Sequence, residues 1–157
     1  MVLPIRASAQ DVGLAIGSTP PAAQVEDLDG NAVDLSRYIG KQKPVLFEFW
    51  ATWCPLCKAL EPRLQEARKQ FGERMDFVVV AVAVNETPRR IKRHLESNET
   101  VGPVFFDAKG AAVRAFDAPT TSYVVILDAA GKVAYTGTGS DQPIVETLGR
   151  ILGASRR

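Results

Sequence analysis

The most constraining feature of the chain is a pair of cysteines, Cys54 and Cys57, between a predicted strand and a predicted helix. The apolar run Val45–Trp50 ahead of them is typical of a buried strand, and Glu48 interrupts it. After the pair, apolar residues recur at helical spacing until Gly72, which is expected to end the helix. Two cysteines one turn apart at a helix start can join their sulfurs without distorting the helix, so the spacing indicates a redox-active pair.

The position of each cysteine predicts its role. Cys54 is expected at the N-terminal end of the helix, where free N–H groups and the helix dipole favour an anion. The dipole is worth up to about 2 kcal/mol in favourable sites, so we expect it to lower the pKa of the Cys54 thiol. Cys54 is therefore predicted to be the exposed nucleophile and Cys57 the resolving thiol. Pro55 suits the first helical position, where its missing N–H costs nothing.

Other roles for the pair fit its spacing less well. As a structural staple across about four residues, a disulfide is worth roughly 2 kcal/mol and joins nothing distant. A zinc or iron–sulfur site needs further ligands, whereas the chain contains two Cys and one His. We therefore predict no metal site, with copper transfer through the two thiols as an open alternative.

Length and charge exclude several classes of protein. The 157 residues suit one domain. Lys plus Arg number 19 and Asp plus Glu 18, a balance of +1 that argues against a nucleic-acid partner. The longest apolar run, Phe77–Val84, is far shorter than the roughly 18 residues that span a bilayer, so no transmembrane segment is predicted. We expect a monomer.

The order of the predicted elements is typical of an α/β sheet with helices on both faces. They are, in chain order, a hairpin over Ala23–Leu35, the strand Val45–Trp50, a helix over Cys57–Phe71, a central strand over Phe77–Val84, a helix from Pro88, a strand over Val101–Phe106, a short helix over Gly110–Phe116, a hairpin over Ser122–Thr136 and a terminal helix over Pro143–Leu152.

The N-terminus suggests export. Residues 1–6 are too short for a signal peptide, yet residues 7–9 read Ala-Ser-Ala, the small-x-small form of a cleavage site. A disordered Ala/Ser leader is the alternative, and both interpretations stay open. Either way, we predict a flexible arm over residues 1–20, in the first case the remnant of a signal or anchor region. A single domain follows over residues 21–153.

Three segments resemble parts of one known family. Phe49–Cys57 is similar to the active-site segment of the thioredoxin superfamily, in its TlpA/ResA-like branch of extracytoplasmic thiol–disulfide oxidoreductases. Pro62 matches the proline that kinks the family's active-site helix, and Ala118–Thr121 resembles the segment that carries its cis-proline. The first hairpin and the stretch Thr87–Phe106 resemble additions of this branch. The resemblance covers roughly Pro20–Leu152 and implies a thioredoxin-like three-layer fold: a central mixed β-sheet flanked by helices, with an N-terminal β-hairpin and a central helix–strand insertion.

The resemblance also implies roles for residues near the cysteines. Glu48, six residues before Cys54, matches a buried acid that relays a proton to or from the buried cysteine. Burial should raise its pKa towards the range of a general acid–base, and Phe77–Val84 carries no Lys to pair with it. A carboxylate that reaches solvent at the strand edge is the alternative.

Pro119 matches the cis-proline, which the resemblance places in the cis form and facing the two sulfurs. The cis form of an X–Pro bond costs about 0.5–1 kcal/mol, so it is accessible. The backbone of Ala118 would pair with an extended client peptide by strand addition. An ordinary trans proline is the alternative. The predicted substrate-binding residues are Trp53, Pro55, Leu56, Ala118 and Thr120.

Two features of the predicted second helix have simpler explanations. The basic cluster Arg89, Arg90, Lys92 and Arg93 is expected to be a solvated face, with an acidic docking partner as the alternative. His94 is expected at the surface, without a role as ligand or catalyst.

The sequence therefore predicts an enzyme that exchanges disulfides with partner proteins, as a reductant. Cys54 would attack a client disulfide and Cys57, with help from Glu48, would resolve the mixed disulfide. No cofactor is expected beyond the Cys54–Cys57 disulfide itself.

The expected partners are disulfide-containing clients and a redox protein that regenerates the dithiol, by analogy a membrane electron donor. Cytochrome c maturation or periplasmic thiol homeostasis is the expected setting, in the periplasm or another extracytoplasmic space.

Two other functions remain as alternatives. A thiol peroxidase would have a proline in the pocket ahead of its reactive cysteine, and Phe47–Trp53 contains none. A non-catalytic copper or apoprotein chaperone would bind its partner without reducing disulfides.

Overall fold

The computed structural model describes residues 13–154. The strands are β1 (Gln24–Glu26), β2 (Ala32–Asp34), β3 (Val45–Trp50), β4 (Asp76–Val82), β5 (Val104–Asp107), β6 (Val124–Leu127) and β7 (Val133–Gly137). The helices are α1 (Pro55–Phe71), α2 (Pro88–Leu95), α3 (Ala111–Ala115) and α4 (Ile144–Ala154), with a 3₁₀ turn at Leu35–Tyr38. The described strands form one seven-stranded mixed sheet in the order β2-β1-β5-β4-β3-β6-β7.

The centre of the sheet is the parallel pair β3 and β4. The pairing runs from Val45 opposite Asp76 to Trp50 opposite Ala81, and every residue of β3 is buried. Continuous burial of this kind requires cover on both faces of the sheet. Parallel strands also end at the same edge, so the loops after β3 and β4 lie side by side. That edge carries the cysteines.

Helices cover both faces of β3. The rings of Phe47 and Phe49 pack against Phe116 at the end of α3, with centroids 4.9 and 5.5 Å apart. Side chains alternate between the faces of a strand, so Glu48 points to the opposite face. The helices α1 and α4 pack against each other, and α1 buries the predicted stripe Leu60, Leu64, Ala67 and Phe71. The predicted three-layer arrangement is confirmed.

The fourth strand ends two residues earlier than predicted. The apolar run extends to Val84, but β4 stops at Val82 and Val84 is 63% exposed. After the strand, Asn85 takes a left-handed conformation with φ of 48°. Hydrophobicity alone therefore overestimated the strand, because Val84 faces solvent at the edge of the active-site region.

The predicted N-terminal arm is attached to the domain from Gly13 onwards. The N–H of Leu14 donates to the hydroxyl of Tyr123 at 3.1 Å. The N–H of Gly17 donates to the carbonyl of Val133, whose own N–H donates to the carbonyl of Ser18, both at 2.8 Å. Gly17 and Ser18 thus lie beside Val133, the first residue of β7. The predicted cleavage-site segment, residues 7–9, lies outside the described residues.

Within residues 13–154, no helix combines the length and apolar character needed to cross a bilayer.

Candidate active site

The two cysteines form a disulfide at the start of α1. Cys54 is the N-cap residue and its sulfur accepts the backbone N–H of Cys57 at 3.1 Å, while Pro55 takes the first helical position as predicted. A sulfur that caps a helix in this way lies where free N–H groups and the helix dipole stabilise negative charge. The geometry is suited to a Cys54 thiolate once the disulfide is reduced.

The predicted exposure of Cys54 is wrong for the disulfide form. Cys54 is 5% exposed and Cys57 is 1% exposed, so both lie almost entirely below the surface. The Cys54 sulfur is bonded to that of the more deeply buried Cys57 and accepts the Cys57 N–H, so it lies against the helix. The sulfur of Cys57 lies deeper, 4.0 Å from the carbonyl oxygen of Phe49 at the end of β3.

Glu48 is an unpaired acid in the interior. It is fully buried, and neither of its carboxyl oxygens has a hydrogen-bond partner among the described residues. Burial raises the pKa of Glu48 well above its usual value, and the nearby charge of Glu61 raises it further. The predicted upward shift is confirmed, and the alternative of an edge carboxylate in contact with solvent is wrong. Glu48 thus lies buried in the strand that ends beneath the cysteines, where its raised pKa favours the protonated form.

A cleft of about 430 Å³ opens beside the disulfide. It is lined by Trp50, Trp53 and both cysteines, together with polar side chains from α1 and from the region of α2. The polar side chains are Lys58, Glu61, His94, Asn98 and Glu99. Burial raises the pKa of Glu61. Because Glu61 follows Cys57 by four residues, helical spacing alone could have placed the two on one face. Glu61 was not among the predicted site residues.

His94 is not the simple surface residue that the sequence suggested. Its ring is half-buried and meets the buried ring of Trp50 edge-on, with centroids 5.4 Å apart. The contact joins α2 to the end of β3, and no local sequence pattern indicates it. His94 therefore helps form the wall of the cleft.

A second groove of about 270 Å³ contains most of the predicted client-binding residues. Its lining includes Trp53 and Val84 on one side and Ala118, Pro119 and Thr120 on the other. Trp53 lies between this groove and the cleft, since its side chain lines both. Of the other two predicted residues, Pro55 lines the cleft and Leu56 is exposed next to it.

The predicted cis bond at Pro119 is wrong, since residues 13–154 contain no cis peptide bond. The segment turns instead through left-handed residues on both sides, Asp117 with φ of 47° and Ser122 with φ of 68°. The N–H of Ser122 then donates to the carbonyl of Phe49 at 2.8 Å and leads the chain into β6. Pro119 lines the groove beside Trp53 and not the cleft of the disulfide. Its predicted contact with the sulfurs stays a prediction.

Comparison with known proteins identifies relatives along nearly the whole chain. The Redoxin family profile matches residues 15–152. The thioredoxin-like protein YneN of Bacillus subtilis is 27% identical over 146 residues, which cover 90% of this chain and 83% of YneN. The thiol-disulfide oxidoreductase ResA of Bacillus subtilis is 30% identical over 124 residues, covering 79% of this chain and 68% of ResA.

A solved structure shows the same fold. The crystal structure of a putative thiol:disulfide interchange protein DsbE from Chlorobium tepidum superposes with a TM-score of 0.74 at 22% identity, covering 90% of this chain and 98% of that one. The arrangement of sheet and helices described above is thus shared with a thioredoxin-like protein.

Proposed function

Because this chain belongs to the Redoxin family, as a TlpA/ResA-like thiol–disulfide oxidoreductase of the thioredoxin superfamily, we propose that it reduces disulfides in client proteins. One observation carries the proposal. The Cys54–Cys57 pair caps α1, with the Cys57 N–H on the Cys54 sulfur, above a strand that holds the buried acid Glu48.

The reaction transfers two electrons to the client. The Cys54 thiolate attacks one sulfur of the client disulfide, forms a mixed disulfide and displaces the first client thiolate. Cys57 then gives up its proton and attacks the Cys54 sulfur, which releases the second client thiolate and leaves Cys54–Cys57 oxidised. The raised pKa of Glu48 brings it closer to that of a thiol, which favours proton exchange between the two groups.

The proposal extends to setting and partners. The TlpA/ResA-like branch that the chain belongs to favours an extracytoplasmic location and a membrane electron donor that regenerates the dithiol. A disulfide between cysteines of apocytochrome c is a client of a kind that suits this branch. The redox group is the cysteine pair alone, and no bound cofactor is required by the reaction as written.

The direction of electron flow is tested by the midpoint potential of the pair. Dithiol proteins range from about −270 mV for a reductant to about −120 mV for an oxidant. We expect titration against glutathione, followed by the change in Trp fluorescence, to give a midpoint close to the reducing end. Trp50 and Trp53 flank the cysteines and supply the signal. A midpoint close to −120 mV would assign the opposite direction and contradict the proposal.

The exposed apolar side chains around Cys54 are proposed to dock the client. Trp53, Leu56 and Val84 are large, apolar and solvent-exposed within the active-site region. We expect Val84→Ser to lower kcat/KM for insulin about 5-fold or more, the effect of losing about 1 kcal/mol at one of the minority of contacts, near the centre of an interface, that carry most of the binding energy. The rate with a small disulfide should change by less than about twofold, because a small molecule does not span the groove.

A matched control for this variant lies at the other end of the sheet. Ile16 is 49% exposed and lies beside the first residues of β7, away from the cysteines. Ile16→Ser removes a similar exposed apolar group and should leave both substrates unaffected. Equal losses in the two variants, or an equal loss with the small disulfide, would argue against docking at Val84.

A further inference from the structure

The segment that follows β4 binds the loop that leads into Cys54. Glu86 is 6% exposed, and one of its carboxyl oxygens accepts both the backbone N–H and the hydroxyl of Thr52, each at 2.7 Å. The other oxygen accepts the N–H of Thr87 at 3.2 Å. Hydrogen bonds to an ionised acceptor are the stronger and shorter ones in proteins, so this contact is a firm one.

A second bond joins the same two segments. The indole N–H of Trp53 donates to the carbonyl of Val84 at 2.9 Å. Between Val84 and Glu86, Asn85 has its left-handed φ of 48°, a conformation that persists where surrounding contacts hold it. Residues 84–86 therefore hold both residues that directly precede the nucleophile. Neither bond is needed for the sheet, since β4 already ends at Val82.

The residues that are held form the turn into α1. The N–H of Cys54 donates to the carbonyl of Ala51 at 3.2 Å, which closes a turn with Thr52 and Trp53 in the middle. The N–H and hydroxyl of Thr52 point out of this turn to Glu86. This turn determines where the Cys54 sulfur lies relative to the backbone nitrogen of Cys57, which is 3.1 Å from it.

We propose that Glu86 is a positioning residue for thiol–disulfide exchange: through Thr52 it fixes the turn that keeps the Cys54 sulfur at the N-cap of α1. The inference rests on the proposed function only in taking Cys54 as the attacking thiol. Without Glu86, the N–H and hydroxyl of Thr52 lose their acceptor in a partly buried place, which is costly, and the turn would move to hydrate them. The Cys54 thiolate would then lose part of the stabilisation that the helix N-terminus provides.

The hydrogen bonds, and not the charge of Glu86, are what the proposal requires. A negative charge close to Cys54 would by itself oppose a thiolate, so its removal should raise the reactivity of Cys54. Loss of the hydrogen bonds should lower it. Glu86→Ala removes both the charge and the bonds, whereas Glu86→Gln removes the charge and keeps an amide oxygen that can accept from Thr52.

The test measures how fast Cys54 is alkylated by iodoacetamide as a function of pH. The reduced protein carries Cys57→Ser, so that one thiol reacts, and the backbone N–H of residue 57 is retained. We expect Glu86→Ala to lower the rate at pH 7 about 3- to 10-fold, because both hydrogen bonds to Thr52 are lost while the loss of the charge offsets part of the effect. Glu86→Gln should react as fast as the parent protein or up to about twofold faster, because it keeps an acceptor for Thr52 and loses the charge.

Asp128→Ala is the matched control for loss of stability. Asp128 accepts the N–H groups of Ala130 and Lys132 at 3.0 Å in the β6–β7 turn, at the end of the sheet opposite the cysteines. Its removal should lower the melting temperature without changing alkylation of Cys54. If Glu86→Ala does not fold, Thr52→Val removes the hydroxyl bond alone and should slow alkylation by a smaller factor.

Three results would overturn the proposal. Unchanged alkylation in the folded Glu86→Ala or Thr52→Val protein would show that the turn holds without Glu86. A loss of the same size in Asp128→Ala would assign the effect to stability. If Cys54 of the parent protein is alkylated no faster than free cysteine, the proposed nucleophile itself is wrong. That outcome distinguishes failure of the proposed function from failure of this inference.

Discussion

Cys54→Ser is expected to reduce the turnover of protein disulfides to background, a loss of at least about 10³-fold. A serine hydroxyl stays protonated in the physiological range and is a poor nucleophile, so the first attack cannot occur. The side chain is nearly isosteric with cysteine, and its oxygen can still accept the Cys57 N–H that the sulfur accepts at 3.1 Å. The fold should therefore persist, and the loss should be one of chemistry.

Cys57→Ser should behave differently, because it stops the reaction half-way. Cys54 still attacks the client, but no second thiol is present to resolve the mixed disulfide. Incubation with an untreated extracytoplasmic extract should yield adducts that dithiothreitol cleaves. An extract whose proteins have first been reduced and alkylated is the control and should yield none. The double variant with both substitutions should yield none. Mass spectra of the Cys57→Ser adducts would identify the client.

The two variants together distinguish the attacking cysteine from the resolving one. Insulin turnover by Cys54→Ser within tenfold of the native protein would contradict Cys54 as the nucleophile. Adducts of equal yield through Cys57 in the Cys54→Ser protein would reverse the assigned roles. The burial of the two residues, 5% and 1%, predicts otherwise, since the sulfur nearer the surface is the one that a client can reach.

Replacing Glu48 with glutamine is expected to slow the resolution step about 10²-fold or more, the usual contribution of a positioned acid–base group. Formation of the mixed disulfide should be much less affected, because it needs no proton from Cys57. Stopped-flow measurements of the two phases separate them. Equal slowing of both phases would argue for a general disturbance of the site.

The same variant should change how stability depends on pH. Burial and Glu61 raise the pKa of Glu48 above the value in the unfolded chain, so the folded protein keeps this proton over a range in which the unfolded chain has lost it. Its favourable contribution is complete at pH below the unfolded pKa and is lost as pH rises towards the folded pKa. Glutamine does not titrate, so the free energy of unfolding of Glu48→Gln should not contain this pH-dependent contribution.

We expect Glu48→Gln and the native protein to unfold at similar denaturant concentrations at pH 5. At pH 8, the variant should be more stable than the native protein, because the native fold must either keep Glu48 protonated or bury its charge, whereas glutamine stays neutral. Both proteins should be compared in the disulfide form, in which the cysteines do not titrate. Glu66→Gln, the same change on the exposed face of α1, is the matched control and should show no such divergence. Parallel pH profiles of the native protein and Glu48→Gln would contradict a titrating Glu48.

The sequence predicted the local parts of this protein well. The strand Val45–Trp50 was predicted with its observed bounds, and α1 with its buried stripe, because alternation and helical spacing are properties of consecutive residues. The burial of Glu48 followed from the apolar residues around it. The assignment of Cys54 to a helix N-cap, with Cys57 one turn later, likewise depended on neighbouring residues alone.

The chain by itself thus determined the redox pair, the elements that carry it and the family. Tertiary structure decided the surroundings of the pair. It brings Glu86 to Thr52, 34 residues away in sequence, and the ring of His94 against that of Trp50. It also holds the trans bond at Pro119 between the left-handed residues Asp117 and Ser122. The physical reason is the range of the interactions. Periodicity and capping act between residues a few positions apart, whereas these contacts exist only because the sheet brings distant loops to one edge.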